Sequence, residues 1–172
     1  MKKILASAIL LLSILTFSQA ETKNIMSLTD VNGKNYSVEE LKNGLKIEDC
    51  DGKIVFLEFF GHRCPPCLKT IPHLIELQEK YKDKLKVIAI EVQGLNNSNL
   101  KSFIKQKGIN YTVATMQNAN EVLEHVSAKA QWQGSIPFMV AIDKEGTVTF
   151  AQAGMLPQSY LEKLISKMDT SK

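Results

Sequence analysis

The sequence predicts an α/β domain in which a central mixed β-sheet carries helices on both faces, preceded by an N-terminal β-hairpin. Two apolar runs, 54–60 and 85–92, have the composition of strands that are buried on both sides. Between and after them, apolar residues recur at helical spacing. Strands that alternate with amphipathic helices are typical of such a sheet.

The N-terminal part reads as two short extended segments within 25–36, joined at Asn32-Gly33. That dipeptide suits the positive backbone angles of a tight hairpin turn. Ser37 and Glu40 then match the spacing of a capping box, which predicts a short helical turn after the hairpin.

The first apolar run predicts a central strand, and a helix should follow it from Cys64 to about Asp83. Pro72 lies inside that helix and should kink it. The run 85–92 predicts a second buried strand.

The rest of the chain continues the alternation. The expected elements are a polar turn at 94–98, an amphipathic helix ending near Gly108, a short strand at 109–114, a helix at 121–129, a hairpin of 138–142 with 148–151, and a closing helix. In the closing helix an apolar stripe comprises Leu161, Leu164, Ile165 and Met168.

Residues 1–20 have the order of a secretory signal peptide: Lys2 and Lys3, an apolar run from 4 to 17, then Ser18 and Ala20. Cleavage after Ala20 would leave 21–172 as a single domain located in the periplasm. The alternative is a retained membrane anchor, for which the apolar run is short.

The charge of the mature chain argues against a nucleic-acid partner. Removing Lys2 and Lys3 from the 21 basic side chains leaves 19 basic against 18 acidic ones, without long blocks of one sign. A nucleic-acid-binding surface would require a basic patch.

Cys64 and Cys67 are the candidate reactive residues. The chain has three cysteines, so they cannot all pair internally. Two cysteines separated by two residues serve zinc binding, haem attachment or redox exchange. Here the pair lies between a buried strand and a helix start, where unpaired N–H groups stabilise a thiolate, which favours Cys64 as nucleophile and Cys67 as resolving thiol.

Glu58 is the candidate proton-transfer group. It is the one charged residue in the first apolar run and precedes Cys64 by six positions, so its carboxyl group should be buried beneath the cysteine pair. Burial raises the pKa of a carboxyl group and would let it exchange protons with Cys67. The alternative is an outward-facing edge residue.

Residues 52–67 (GKIVFLEFFGHRCPPC), with Pro72 and residues 136–143 (IPFMVAID), resemble the thioredoxin superfamily, and most closely its exported TlpA/ResA-type thiol-disulfide oxidoreductases. The resemblance covers nearly the whole mature chain. It implies a thioredoxin-like fold, a cis Pro137 facing the cysteine pair, backbone groups of Ile136 that bind the substrate chain, and a buried acid at Glu58.

The resemblance also implies protein substrates with thiols or disulfides, no cofactor, and a membrane thiol-disulfide electron carrier as partner. It suggests a reductase, for example in cytochrome c maturation. The family usually has a tryptophan before the first cysteine, whereas this chain has Arg63 preceded by His62. A cation there would stabilise the Cys64 thiolate and make the disulfide more oxidising.

Other functions remain open at this point. Within the same class the protein could be a disulfide oxidase or isomerase. A different class is a metal-binding module that uses the pair with Cys50 and His62, although tetrahedral zinc sites commonly take their four ligands from two close pairs, and this sequence has one such pair. A non-catalytic thiol-binding module is the third alternative. Cys50 itself is expected to be a buried, unreactive thiol.

Overall fold

The computed structural model describes residues 23–170. After an N-terminal run of strands, helices and strands follow in the predicted order, with a second hairpin before the last helix. Their order is β1 Ile25–Thr29, β2 Asn35–Leu41, β3 Gly44–Ile47, β4 Ile54–Phe60, α1 Pro65–Lys80, β5 Leu85–Glu91, α2 Asn97–Lys107, β6 Thr112–Thr115, a 3-10 turn Gln117–Ala119, α3 Asn120–Ala130, β7 Phe138–Ile142, β8 Val148–Ala153 and α4 Gln158–Thr170.

The central sheet is mixed, which confirms the predicted fold class. Its five strands have the order β6-β5-β4-β7-β8 within the described residues. Strands β4, β5 and β6 are parallel to each other, while β7 is antiparallel to β4 and β8. Strand β4 is the middle strand, and all seven of its residues are buried. A strand in this position needs apolar side chains on both faces, because helices or a second sheet cover both of its sides, and its near-continuous apolar sequence meets that need.

The two faces of the sheet are covered differently. On one face, α1 and α4 pack on Phe56 and Val87, and α2 packs through Leu100 near Val113. On the other face, α3 and the N-terminal strands pack on Leu57 and neighbouring side chains. Alternate residues of β4 therefore belong to different layers, and Glu58 shares its face with Phe56, beneath α1.

The N-terminal segment is a separate antiparallel sheet of β1, β2 and β3. The hairpin of β1 and β2 is confirmed, but the helical turn predicted from Ser37 and Glu40 is wrong, because both residues lie in β2. Tyr36 and Val38 are buried in the core. This alternation of buried and exposed positions overrides the local capping pattern. The third strand, β3, was not predicted.

Several boundaries also differ from the predictions. Helix α1 ends at Lys80 rather than near Asp83. Strand β6 begins at Thr112 rather than at Ile109, because the Ile109 N–H bonds the Ile104 carbonyl and so completes the end of α2. Within 23–170, each helix is too short or too polar to cross a membrane. The predicted signal peptide, 1–20, lies outside the described residues, so the division into 1–20 and 21–172 stays a prediction.

Candidate active site

Cys64 and Cys67 lie at the start of α1, directly after the buried strand β4. Cys64 is the N-cap residue, and its sulfur accepts a hydrogen bond from the Cys67 N–H at 3.3 Å. The two sulfurs form a disulfide with a Cα–Cα distance of 5.2 Å. Cys64 is 7% exposed, whereas Cys67 is fully buried. Cys64 is therefore the more accessible residue of the pair.

Pro65 and Pro66 occupy the first two positions of α1. The first N–H groups of a helix have no partner within the helix, so prolines there cost no hydrogen bond. Their fixed φ angles restrict the turn between the sulfurs. The first turn of α1 therefore leaves the Cys67 N–H as the donor that bonds the Cys64 sulfur.

The Ile136–Pro137 peptide bond is cis, as the resemblance implies. Its loop faces the cysteine pair, since the Ile136 carbonyl oxygen lies 3.7 Å from the Cys64 sulfur. The Gly154 N–H donates to the Pro137 carbonyl at 2.7 Å and so joins this loop to the end of β8. The structure thus brings together the cysteine pair and the two residues predicted to bind a substrate chain.

Trp132 fixes the loop that precedes Pro137 against the central sheet. Its indole N–H donates to the Ser135 carbonyl at 2.7 Å. Its ring packs on Phe59 of β4 and Phe138 of β7, with centroid distances of 5.1 and 6.0 Å. Trp132 is therefore a packing residue that anchors the loop to the sheet.

Glu58 lies in the middle of β4 and is 1% exposed. The alternative interpretation, in which Glu58 is an outward-facing edge residue, is therefore wrong. Burial raises the pKa of its carboxyl group to about 8, and the hydrogen bond with Thr70 opposes this only in part. Oε1 lies 2.9 Å from the Thr70 hydroxyl oxygen, and Oε2 has no hydrogen-bond partner in the described part of the chain. Such a carboxyl group is suited to exchange protons near neutral pH.

A second buried carboxyl group, Glu91 at the end of β5, was missed in the sequence. It is fully buried and lies opposite Phe60 in the parallel register. Oε1 contacts His62 Nδ1 at 2.8 Å and accepts from the Gln93 N–H at 3.0 Å, while Oε2 accepts from the Leu95 N–H at 2.8 Å. Glu91 therefore ties the segment before Cys64 to the loop after β5.

Gln93 strengthens the same connection. Its side-chain oxygen accepts the Arg63 N–H at 2.9 Å. A Cβ atom at Gly61 would lie 2.3 Å from the Gln93 side chain, so glycine permits this close approach. The side chain of Arg63 is exposed, next to Cys64 in sequence.

The sequence signal that could have revealed Glu91 is the one that revealed Glu58: an acidic residue in an apolar strand.

Cys50 does not join the cysteine pair. It is a buried free thiol in the turn before β4, and it packs in a different apolar cluster from Cys64 and Cys67. Burial raises its pKa to about 11, which keeps it protonated and unreactive at neutral pH. Within 23–170, there is no group of three or more His, Cys, Asp or Glu side chains arranged to hold a metal.

Comparison with known proteins is consistent with this geometry. The family model described as "AhpC/TSA family" matches residues 19–151. The chain belongs to the AhpC/TSA family. It is 31% identical over 142 residues to a thiol-disulfide oxidoreductase ResA of Bacillus cereus, covering 82% of this chain and 73% of that protein. It is 28% identical over 148 residues to ResA of Bacillus subtilis (strain 168), covering 84% and 74%.

Solved structures confirm the thioredoxin fold. A thioredoxin-family thiol:disulfide interchange protein from Chlorobium tepidum TLS superimposes with a TM-score of 0.70 at 23% identity, over 84% of this chain and 92% of that one. An exposed lipoprotein thioredoxin from Streptococcus pneumoniae strain TIGR4 gives a TM-score of 0.65 at 22% identity, over 84% and 99%. The predictions of family, fold and enzyme class are confirmed: the chain is a thioredoxin-like thiol-disulfide oxidoreductase.

Proposed function

We propose that this oxidoreductase acts outside the cytoplasm on protein substrates, with Cys64 as the nucleophile. The observation that carries the proposal is the position of the Cys64 sulfur. It lies at the N-terminus of α1, is the more exposed of the pair, and faces the Ile136 carbonyl at 3.7 Å. A helix N-terminus stabilises a thiolate, which is the attacking form of a cysteine.

In the reducing direction, the Cys64 thiolate attacks one sulfur of a substrate disulfide. A bond forms between Cys64 and that sulfur, and the other substrate sulfur leaves as a thiolate. The Cys67 sulfur then attacks Cys64, the second substrate sulfur leaves, and the Cys64–Cys67 disulfide closes. Two electrons pass from the dithiol to the substrate, and no metal or organic cofactor takes part.

Glu58 is proposed as the group that accepts the proton of Cys67 in the second step and returns it when the disulfide is reduced. A buried thiol must lose its proton before it can attack, and bulk water does not reach Cys67. Because burial brings the Glu58 pKa to about 8, the carboxyl group can both take and give a proton near neutral pH.

Ile136 and Pro137 are proposed to bind the substrate chain. Ile136 presents its backbone carbonyl beside the Cys64 sulfur, and an extended segment next to Cys64 could pair with these backbone groups. Trp132 and Gly154 hold the loop in place through hydrogen bonds to Ser135 and Pro137. Backbone recognition of this kind would accept several protein substrates.

The proposed direction is reduction, for example of haem-attachment cysteines in cytochrome c maturation, with electrons from a membrane thiol-disulfide carrier. Support comes from the resemblance to the TlpA/ResA type, to which the relatives named ResA also belong. The alternative is a disulfide oxidase or isomerase. The exposed Arg63 beside Cys64 favours that alternative, since a nearby cation stabilises the thiolate and so the reduced form.

The proposed location is the periplasm. Its support is the basic, apolar and small-residue order of residues 1–20, which is typical of a cleavable signal peptide. The structural neighbour from Streptococcus pneumoniae is described as an exposed lipoprotein. Retention of the apolar segment as an anchor is the alternative, and the N-terminal sequence of the protein isolated from its native host decides between them.

The direction is tested by equilibrating the mature protein with glutathione buffers and following the Cys64–Cys67 disulfide. Thioredoxin-type centres span roughly −270 to −120 mV. A reductase should lie near the reducing end, and a value near the oxidising end would instead establish the oxidase or isomerase.

A metal-binding or non-catalytic module is tested on the same preparation. We expect substoichiometric zinc, insulin reduction by the wild type, and its loss in Cys64→Ser. The matched control is Cys50→Ser, which should keep full activity because Cys50 packs apart from the pair. Stoichiometric zinc with unchanged activity in Cys64→Ser would contradict the proposed function.

A further inference from the structure

The hydroxyl group of Thr70 lies between Glu58 and Cys67. Its oxygen is 2.9 Å from Glu58 Oε1 and 2.8 Å from the Cys67 backbone oxygen. A hydroxyl has one proton to donate, and a backbone carbonyl can only accept. When both contacts are hydrogen bonds, Thr70 donates to the Cys67 carbonyl, and the proton in the other contact belongs to Glu58.

The second oxygen of Glu58 agrees with this assignment. Oε2 is buried and has no hydrogen-bond partner among residues 23–170. An ionised carboxylate has two acceptor oxygens that both require donors when buried, whereas a neutral carboxyl group donates from one oxygen and leaves a weaker acceptor. The oxidised protein therefore contains a chain of hydrogen bonds from neutral Glu58 through Thr70 to Cys67.

Among the described residues, Thr70 is the one side chain that forms a hydrogen bond with Glu58. Its register neighbours on β5 and β7 are Ala89 and Met139, which are apolar. Helix α1 presents the Cys64–Cys67 disulfide and Thr70 to this face. In the described part of the chain, Tyr111 is a titratable group that interacts with Glu58: burial raises the pKa of its hydroxyl group most, and the negative charge of Glu58 raises it further. Tyr111 forms no hydrogen bond with Glu58.

We propose that Thr70 is a positioning residue that couples the protonation of Glu58 to the backbone of Cys67. With neutral Glu58, the Thr70 hydroxyl bonds the Cys67 carbonyl. When Glu58 loses its proton, the hydroxyl turns to the carboxylate, because a charge-assisted hydrogen bond is the stronger of the two. The Cys67 carbonyl then loses this bond.

This coupling rests on the proposed role of Glu58 and specifies how that role reaches the resolving cysteine. As Cys67 loses its proton and attacks Cys64, the proton ends on Glu58. The newly neutral Glu58 donates to Thr70, and Thr70 in turn donates to Cys67. Closure of the disulfide and re-formation of the chain of hydrogen bonds are thus parts of one step.

The test is a carbon-13 NMR titration of the oxidised protein that follows two resonances, the Glu58 carboxyl carbon and the Cys67 carbonyl carbon. In the wild type both should titrate with one midpoint. Thr70→Val removes the hydroxyl and keeps the shape, so the Glu58 midpoint should rise by about one to two pH units. The Cys67 resonance should stop responding to Glu58.

Thr70→Ser is the matched control, because it keeps the hydroxyl and should keep both the shared midpoint and the Cys67 response. Thr70→Ala removes the hydroxyl with less volume and carries the test if Thr70→Val does not fold. A Thr70→Val or Thr70→Ala protein with lowered thermal stability but an unchanged Glu58 midpoint would overturn the inference, because a purely structural hydroxyl would act in that way.

A separate kinetic experiment tests the proposed proton transfer between Glu58 and Cys67. Reduced protein treated with an aromatic disulfide releases one equivalent of thiol as Cys64 reacts and a second as Cys67 resolves the mixed disulfide. If Glu58→Gln leaves the pH profile of the second phase unchanged, the proton-transfer role is wrong. The titration of Glu58 and Cys67 in the oxidised protein still decides the role of Thr70.

Discussion

The two buried carboxyl groups beside the cysteine pair, Glu58 on β4 and Glu91 on β5, have opposite hydrogen-bond environments. Within the described residues, Glu58 has a single hydrogen-bond partner, Thr70, and one of its oxygens has none. Both oxygens of Glu91 are hydrogen-bonded, to backbone N–H groups and to His62. Both side chains are buried, so the difference arises from the hydrogen-bond donors around each carboxyl group and not from its burial.

The different hydrogen-bond environments suit the two carboxyl groups to different roles, Glu91 to holding a loop and Glu58 to exchanging a proton. Glu91 lies where β5 ends, so the backbone N–H groups of the following loop point at it and are satisfied by it. Glu58 lies in mid-strand, where neighbouring N–H groups already belong to the sheet, so few donors remain. A carboxyl group without donors changes its protonation readily, whereas one with many donors holds a loop in place.

The largest effect is expected from removing the Glu91 carboxyl group. Glu91→Ala leaves the part-buried N–H groups of Gln93 and Leu95 and the His62 side chain without their acceptor. We expect a loss of roughly 3 to 5 kcal/mol in the free energy of unfolding, measured by urea denaturation of the oxidised protein. Glu91→Gln keeps one acceptor oxygen and should cost about 2 kcal/mol. A loss below about 1 kcal/mol in Glu91→Ala would show that Glu91 does not hold the loop.

The same Glu→Gln change at position 58 should mainly alter how the free energy of unfolding depends on pH. The folded pKa of Glu58, about 8, lies above its ordinary value of 4.5, so the folded state binds the extra proton between these values. Stability from this group is complete below the unfolded pKa and is lost as the pH rises through the folded pKa. Glu58→Gln should remove about 3 kcal/mol of the stability difference between pH 5 and pH 8.

Urea denaturation of the oxidised wild type and of Glu58→Gln at pH 5 and pH 8 measures this contribution of Glu58 to the stability difference. Glu91→Gln serves as the control, since that variant should keep the pH dependence that Glu58 produces. Equal pH dependence in the wild type and in Glu58→Gln would mean that Glu58 is ionised in the folded protein, and the contrast between the two carboxyl groups would fail.

The smallest effect is expected at Gln93. Gln93→Ala removes the acceptor of the Arg63 N–H in a partly exposed segment. We expect a loss of about 1 kcal/mol in the free energy of unfolding. Gln93→Glu keeps a side-chain oxygen at that position and should lose less. If Gln93→Ala were as damaging as Glu91→Ala, the loop would be held by Gln93, contrary to the assignment here.

The sequence was sufficient for the parts of the molecule where pattern and burial coincide. The unbroken apolar run of β4 predicted its central position, and the one acid within it predicted a buried Glu58. The N-terminal sheet was predicted less well, because Ser37 and Glu40 match a local helix signal while packing of Tyr36 and Val38 decides for a strand.

Thr70 and Glu91 show why the rest of the site was missed. Thr70 is an ordinary polar residue on an amphipathic helix, and only the packing of α1 on β4 shows that it faces Glu58. Glu91 is the last residue of its strand, where an acid is also compatible with an exposed strand end. Its partner His62 is 29 residues away in the chain, and single-sequence patterns do not reveal such contacts.

The central claim is that Cys64 attacks and Cys67 resolves. Single-cysteine variants of the active-site pair, Cys64→Ser and Cys67→Ser, each reduced and mixed with a model disulfide, test it directly by mass spectrometry. We expect Cys67→Ser to accumulate one stable mixed disulfide at Cys64, and Cys64→Ser to form almost none because Cys67 is fully buried. Accumulation in Cys64→Ser and not in Cys67→Ser would contradict the account.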